Sequence, residues 1–489
     1  MKAQLFAVCL VAGFCLSTGQ VQTFPPNFLF GSASASYQVE GGWDADGKGP
    51  SIWDELTHKY PDKVYNRENG DIACNSYELY KEDVQLLKDA NMDFYRFSIS
   101  WSRVMSGGDN ATVNEAGLQY YDNLINELIA NDIQPMITLY HWDLPQAIQE
   151  IGGLTNPLIV RYFEDYADLV LKRYSDRVKY WSTFNEPIII CQHGYGNPDR
   201  APFVYSAGIG VYLCSHNLLL AHGKIYDLFD AKYRTEGSKM GIVISCGFSF
   251  PLDENNPDDV AAADRAMQFS CGMYGHPIFS RTGGYPPIMV EVINELSKKE
   301  GRAWSRLPYM SAEVRDSLRG KSDYYGLNYY SSGLETASTY ERSGEPSFWT
   351  DQYTSGIKNA SWPVAKSTWL VSVPEGLRGM LNWIKNQYDN PEIIITENGW
   401  SDDGELEDTG RIAYLRGHLK AVLDAIDDGV NVTGHTTWSL LDNFEWMMGY
   451  SERFGIHYVD FDDPARPRTP KASVAFLRNV IQTRIVPDE

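Results

Sequence analysis

The chain has 489 residues and a formal net charge of −22, with 43% hydrophobic and 22% charged residues. That is an ordinary composition for a globular protein. The acidity excludes a phosphate-tracking nucleic-acid binder and disfavours anionic membranes and strongly anionic substrates.

The chain opens as a secretory signal, with Lys2 as the positive flank, an apolar run over 3–16, and small residues Ser17-Thr18-Gly19 for cleavage. Cutting after Gly19 would leave 20–489 as one domain. An uncleaved anchor helix is the alternative, but the run falls short of the ~20 residues that span a bilayer. No later stretch is long and apolar enough to cross one, and the final Val486-Pro-Asp-Glu489 is not a retention signal, so secretion is the expectation. Of seven Cys, Cys9 and Cys15 would leave with the signal. Cys74, Cys191, Cys214, Cys246 and Cys271 then remain, an odd number without zinc-ligand spacing, so at least one thiol stays unpaired and the pairing is open. Asn110, Asn359 and Asn431 head N-x-S/T sequons that accept glycans where exposed.

Strand-like apolar runs follow at 28–37, 94–101, 136–141, 180–184, 240–246, 324–330, 393–396 and 433–441. Helical patterns lie between them at 76–90, 115–131, 157–174, 212–231, 374–388 and 409–428. In the first, Tyr77, Tyr80, Val84 and Leu87 form one apolar face. The length alone allows about three domains, but alternating β and α without a linker argues for one α/β unit. Eight strands predict a single (β/α)8 barrel with elaborated strand-to-helix loops, the extra length falling at 251–264 and 335–372. The Gly-rich phosphate turn of an open doubly wound sheet is missing.

In such a barrel, chemistry sits at the C-terminal ends of the strands. Those ends carry Gln38, Arg96, His141, Asn185, Glu186, Asn328, Tyr330, Glu397, Trp438, Glu445 and Trp446. Glu186 in Thr183-Phe-Asn-Glu-Pro187 and Glu397 in Ile394-Ile-Thr-Glu-Asn-Gly399 each stand where a strand gives out. Two carboxyls converging on one pocket are the minimum equipment for breaking a glycosidic bond; a Glu at a strand end is otherwise solvated loop. Arg96 inside an apolar strand needs an acceptor, either a carboxylate that must stay charged or a structural ion-pair partner. His141 reads either as a donor to a substrate hydroxyl or as a satisfied core His. Trp438, Glu445 and Trp446 offer flat faces and an acceptor suited to a neutral sugar, although each ring alone fits core packing.

These motifs resemble glycoside hydrolase family 1, especially its animal and insect members, over 24–485. The match is carried by Phe28-Leu-Phe-Gly-Ser-Ala-Ser-Ala-Ser-Tyr-Gln-Val-Glu-Gly41, Tyr95-Arg-Phe-Ser-Ile-Ser-Trp101, Tyr140-His-Trp-Asp-Leu-Pro145, Thr183 to Pro187, Gly326-Leu-Asn-Tyr-Tyr330, Ile395 to Gly399 and Trp438 to Trp446. The resemblance implies a retaining β-glucosidase that releases terminal β-D-glucosyl residues through a covalent intermediate, acting on a small β-glucoside or cello-oligosaccharide. Glu186 would be the acid/base and Glu397 the nucleophile. Gln38, His141, Asn185, Glu445 and Trp446 would hold the sugar hydroxyls and Trp438 would stack under the ring. Asn328 and Tyr330 would flank the nucleophile, with Arg96 in support, and Trp362 would line the aglycone side. No metal or organic cofactor is called for, and Glu445 would repel a 6-phosphate. Pro187 is expected to break the pleat, so that Asn185 and Glu186 both reach the pocket.

Ile188-Ile-Ile190 and Gly284-Tyr-Pro286 depart from the family pattern, and 188–192 is expected to border the aglycone. The rival readings are an insect-type thioglucosidase on the same site, net transglycosylation, and a non-catalytic binding protein. Intact Glu186 and Glu397 argue against the last.

Overall fold

The computed structural model describes residues 21–338 and 345–488. The expected signal, 1–19, with Cys9 and Cys15, lies outside the described residues. Eight parallel strands close a barrel in sequence order: β1 (Leu29–Ala33), β2 (Phe94–Ser98), β3 (Gln134–Tyr140), β4 (Tyr180–Asn185), β5 (Lys239–Ser245), β6 (Tyr325–Asn328), β7 (Ile393–Asn398) and β8 (Val432–Trp438). Closure of β8 on β1 pairs Ala33 with Trp438 and leaves no free edge. All eight runs read from the sequence are strands. Two end early. The first stops at Ala33 because Ser36 N–H donates to the Ser98 hydroxyl (2.8 Å), and the chain turns into the short helix Ser36–Val39. The last stops at Trp438 instead of running to 441.

The six expected helices form at Ser76–Asp89, Glu115–Ala130, Ile159–Tyr174, Gly210–Leu228, Pro374–Gln387 and Thr409–Asp427. The segments read as plain loops carry structure of their own. Asn256 caps the helix Pro257–Met267 inside 251–264. Gly333–Ala337 and Thr354–Ile357 join Ser249–Pro251 in a three-stranded sheet. Helices Pro287–Lys299, Ala312–Leu318 and Ala472–Thr483 were not anticipated. Gly284 has φ +75°, a conformation that costs Gly least, which accounts for a Gly at that departure from the family pattern.

Alternation along the strands divides the barrel interior into layers. Phe94, Met136, Tyr324 and Ile394 cluster at the N-terminal end as an apolar plug. Gly31 and Gly241 make room for its rings, since a Cβ would meet Phe94 at 2.5 Å and Tyr324 at 2.6 Å. Above the plug the interior turns polar, with Thr138 and Ser182 bonded at 2.9 Å and then Arg96. Burying these groups is tolerable because each is paired, and the pairing sets up the end of the barrel where the strands finish.

Cys191 pairs with Cys214 and Cys246 with Cys271, and Cys74 is a buried free thiol. The first bridge ties helix Pro187–Tyr195, which follows Glu186, to helix Gly210–Leu228. Asn110 and Asn431 are exposed and Asn359 is half-buried. No helix among the described residues is long and apolar enough to cross a membrane.

Candidate active site

At the C-terminal mouth of the barrel lies a cavity of about 590 Å³, lined by Gln38, His141, Asn185, Glu186, Asn328, Tyr330, Glu397, Trp438, Glu445 and Trp446. Arg96 stands behind this wall, bonded to two of its members. A volume of that size suits a small ligand.

Both acidic side chains reach the cavity through departures from regular strand. Glu186 follows the last residue of β4 in a left-handed conformation, φ 53° and ψ 64°, and Pro187 begins the next helix. A residue preceding proline is kept out of the right-handed helical region by the proline ring, so the turn falls on Glu186 itself. Its carboxyl therefore shares the cavity with Asn185. A left-handed non-Gly residue costs about 1–2 kcal/mol, a type of strain that concentrates at functional sites. Trp142 (φ 78°) and Trp446 (φ 56°), both in the wall, share that conformation. In β7 the register shifts between Ile395 and Glu397. Thr396 Oγ1 donates inward to Asn328 (2.8 Å), Glu397 also faces the cavity, and Asn398 turns outward to Tyr414.

One relay joins the two carboxyls. Arg96 donates to Glu397 Oε1 (2.7 Å) and to Asn185 Oδ1 (2.7 Å). Asn328 Nδ2 donates to Asn185 Oδ1 (3.1 Å) and to Glu186 Oε1 (2.9 Å). Tyr330 donates its hydroxyl to Glu397 Oε2 at 2.8 Å. Burial and the neighbouring Glu397 push the Tyr330 hydroxyl well above its ordinary range, so it stays a donor. Glu397 thus accepts hydrogen bonds from a guanidinium and a phenol. Glu186 receives no cation contact of that kind. Burial first, and the charge of Glu397 second, push its carboxyl up to about 7, so it holds a proton in acidic solution and is about half protonated at neutrality.

The remaining wall is aromatic and amide. Arg96 fixes the Asn185 oxygen as acceptor, so Asn185 Nδ2 points its donor at His141 Nε2 (3.0 Å). Burial, then the Arg96 charge, lower the His141 pKa well below its ordinary value and keep the ring neutral. It lies between the Trp438 ring (5.8 Å) and the Trp446 ring (6.2 Å). Gln38 Nε2 donates to Asn443, to Phe444 O and to Glu445 Oε2 (3.3 Å), while its buried Oε1 has no protein partner.

Trp362 is not part of the wall. It is half-buried and packs 6.1 Å from Phe250 on the inserted loop, so the expectation for that ring is corrected. The exposed rings at the cavity mouth are Trp349 and Trp369. Within 188–192 only Ile189 lines the cavity. Sequence reasoning also missed Trp142, His193, Asp199, Arg200, Glu452 and Phe454. Trp142 was legible, since it follows His141. Arg200, in a turn-rich stretch, carried no periodic signal.

Residues 20–485 match the family model described as Glycosyl hydrolase family 1. The chain belongs to that family. It is 46% identical to Myrosinase 1 of Brevicoryne brassicae over 94% of this chain and 98% of that protein. It is 43% identical to human lactase/phlorizin hydrolase over 95% of this chain, which spans 24% of that longer protein. Among solved structures, aphid myrosinase superposes with a TM-score of 0.90 at 46% identity, covering 94% of this chain and 99% of that one. A rice β-glucosidase mutant in covalent complex with glucose gives 0.88 at 35% identity, covering 93% and 98%. The chain is a glycoside hydrolase on a (β/α)8 barrel.

In this glycoside hydrolase Arg200 is the one Lys or Arg among the residues lining the cavity. It stacks over Trp142 (5.2 Å), and its charge pulls against the upward push on Glu186. Replacing it by Gln is expected to raise the Glu186 pKa. The alkaline limb of kcat/KM would move up by roughly half to one pH unit, read from a pH series on an aryl glycoside.

Proposed function

We propose that this enzyme is a retaining β-glucosidase acting on terminal, non-reducing β-D-glucosyl residues of small glucosides or cello-oligosaccharides. The observation carrying the reading is the unequal pair, Glu186 pushed up to about 7 and Glu397 held by Arg96 and Tyr330. Glu397 attacks the anomeric carbon as the bond to the leaving oxygen breaks, and Glu186 passes its proton to that oxygen. Ester formation removes the charge of Glu397, the second largest cause of the raised Glu186 pKa. Glu186 then ionises more readily and takes a proton from the water that attacks the ester. Two successive displacements at one carbon retain the anomeric configuration. A family relative solved in covalent complex with glucose supports this order of events.

Similarity to Myrosinase 1 of Brevicoryne brassicae and to the aphid myrosinase structure favours a second reading, cleavage of S-glycosides at the same site. Cellobiose, an aryl β-D-glucoside and a glucosinolate assayed side by side, with the first-formed anomer read by NMR, test both. Hydrolysis of the two O-glucosides to β-glucose first is the expected result. Initial release of the α anomer, or turnover of the glucosinolate alone, would overturn it. We further propose export after removal of 1–19, with Asn110 and Asn431 as the accessible glycan acceptors.

A further inference from the structure

A ring at the cavity mouth is held in place by charged residues that do not line the cavity. Trp349 is 55% exposed there and belongs to the one-turn helix Phe348–Asp351 of the inserted loop. A helix that short does not stabilise itself, since its nucleus costs more than one turn of hydrogen bonds returns. Phe348 and Asp351, three positions apart, share a buried face, and Trp349 between them faces the cavity. Phe348 packs against Tyr212 (6.4 Å) and Phe269 (6.2 Å). The Trp349 ring stands edge-on to Phe348 (5.3 Å) and to His193 (6.4 Å).

Asp351 fixes the orientation of that helix. Arg306, from the connection 300–311, grips both carboxylate oxygens, Nη1 on Oδ2 at 2.7 Å and Nη2 on Oδ1 at 2.8 Å. Tyr212 donates its hydroxyl to Oδ2 (2.6 Å), and Arg306 Nη1 also donates to the Gly208 carbonyl (2.7 Å). Gly208 in turn backs onto Pro346, where a Cβ would come within 2.7 Å of the proline ring. Three segments remote in sequence, around 208, 306 and 351, therefore meet at one buried ion pair. Stability alone does not call for it, because apolar residues of similar volume often replace such a pair at little or no loss. What the two-pronged contact adds is a fixed direction, and the element it directs carries Trp349. The same body holds the acid/base: Cys214, two residues after Tyr212, is bridged to Cys191 on the helix that follows Glu186.

We propose that Arg306 and Asp351 are positioning residues, which hold the Trp349 ring at the mouth as a stacking face for the outer sugar of a long leaving group. The inference rests on the β-glucosidase reading and extends it to a preference for longer cello-oligosaccharides. A flat ring half open to solvent offers a partner to the apolar C–H face of a glucose unit. A ring fixed in advance loses less freedom when that unit docks.

The test compares methyl β-D-glucoside, whose leaving group is too small to reach the mouth, with cellotriose, whose leaving group extends outward. Trp349→Ala is expected to lower the cellotriose-to-methyl-glucoside ratio of kcat/KM by about tenfold. Asp351→Asn keeps the shape and cancels the charge that Arg306 grips. It is expected to lower the ratio by about three- to tenfold, through a higher KM for cellotriose at little-changed kcat. In the Trp349→Ala background Asp351→Asn should leave the ratio where it is, because the ring it positions is gone. Tyr212→Phe removes one hydrogen bond only and serves as the milder variant if Asp351→Asn does not fold. It is expected to move the ratio the same way by about twofold. Equal losses on both substrates in Asp351→Asn or Tyr212→Phe would overturn the proposal. So would an effect of either that persists in full without the Trp349 ring, or a ratio unmoved by Trp349→Ala. A wild type inactive on every β-glucoside would instead sink the β-glucosidase reading, so the two failures are distinct.

Discussion

Glu397→Gln is expected to lower kcat on an aryl β-glucoside by on the order of 10⁴-fold or more, because no other group can form the ester. The amide is nearly isosteric with the carboxylate, so substrate binding should change far less than turnover. Stability should fall as well. Arg96 is 1% exposed and bonded at 2.7 Å to the carboxylate that the substitution neutralises. Removing one member of a buried pair leaves an uncompensated charge, which typically costs about 3–5 kcal/mol. The Asn185 amide and the Thr396 carbonyl, which also accept from Arg96, should offset part of this. Steady-state kinetics and thermal unfolding of the same preparation separate the two effects. Glu397→Gly opens space beside the anomeric carbon. Added azide should then restore turnover of an activated glucoside by direct displacement, giving the α-azide. Residual activity within about tenfold of wild type would remove Glu397 from the nucleophile's role.

The barrel was legible because every strand is short, apolar and bounded by helices with a clear periodic face. Strand ends were less so. The run 28–37 continues past Ala33 as Ser-Ala-Ser-Tyr without a Gly or Pro stop, and there Ser36 N–H donates to the hydroxyl of Ser98, more than sixty residues away. The long insertions misled for a related reason. Gly333–Ala337 and Thr354–Ile357 are short, half-buried or exposed, and stabilised by pairing with each other, which local sequence does not announce. Within the site, residues on strands and directly after them were found because a polar group interrupting an apolar run is conspicuous. Arg200, Trp369 and Glu452 enter the cavity from loops, where Arg, Trp and Glu look like ordinary surface. The misplacement of Trp362 has the same origin: it and Trp369 lie on one insertion, and only the path of that loop distinguishes them. The pleat break was read correctly in kind but assigned to Pro187, whereas the left-handed turn is at Glu186.

Glu186→Gln is expected to have an effect that depends on the leaving group, which separates acid catalysis from a general structural role. An alkyl or cellobiosyl oxygen must be protonated as it leaves, so kcat/KM should fall by about 10²–10⁴-fold. A dinitrophenolate departs without a proton, and its kcat/KM should fall by much less. For that substrate the slow step becomes hydrolysis of the ester, since the base that activates water is also gone. The glucosyl-enzyme should accumulate as a burst, and azide should release it as the β-azide, opposite in configuration to the product from Glu397→Gly. The pH profile gives an independent reading. With its carboxyl pushed up to about 7, Glu186 is protonated below that pH and ionised above it, so wild-type kcat/KM should be full on the acid side and fall as pH rises. Gln cannot ionise, so this alkaline limb should vanish in the variant. A thioglucoside, whose thiolate leaves without help, should resemble the dinitrophenyl substrate in its first step. Loss of the same factor on every leaving group, with the alkaline limb intact, would mean that Glu186 is not the acid.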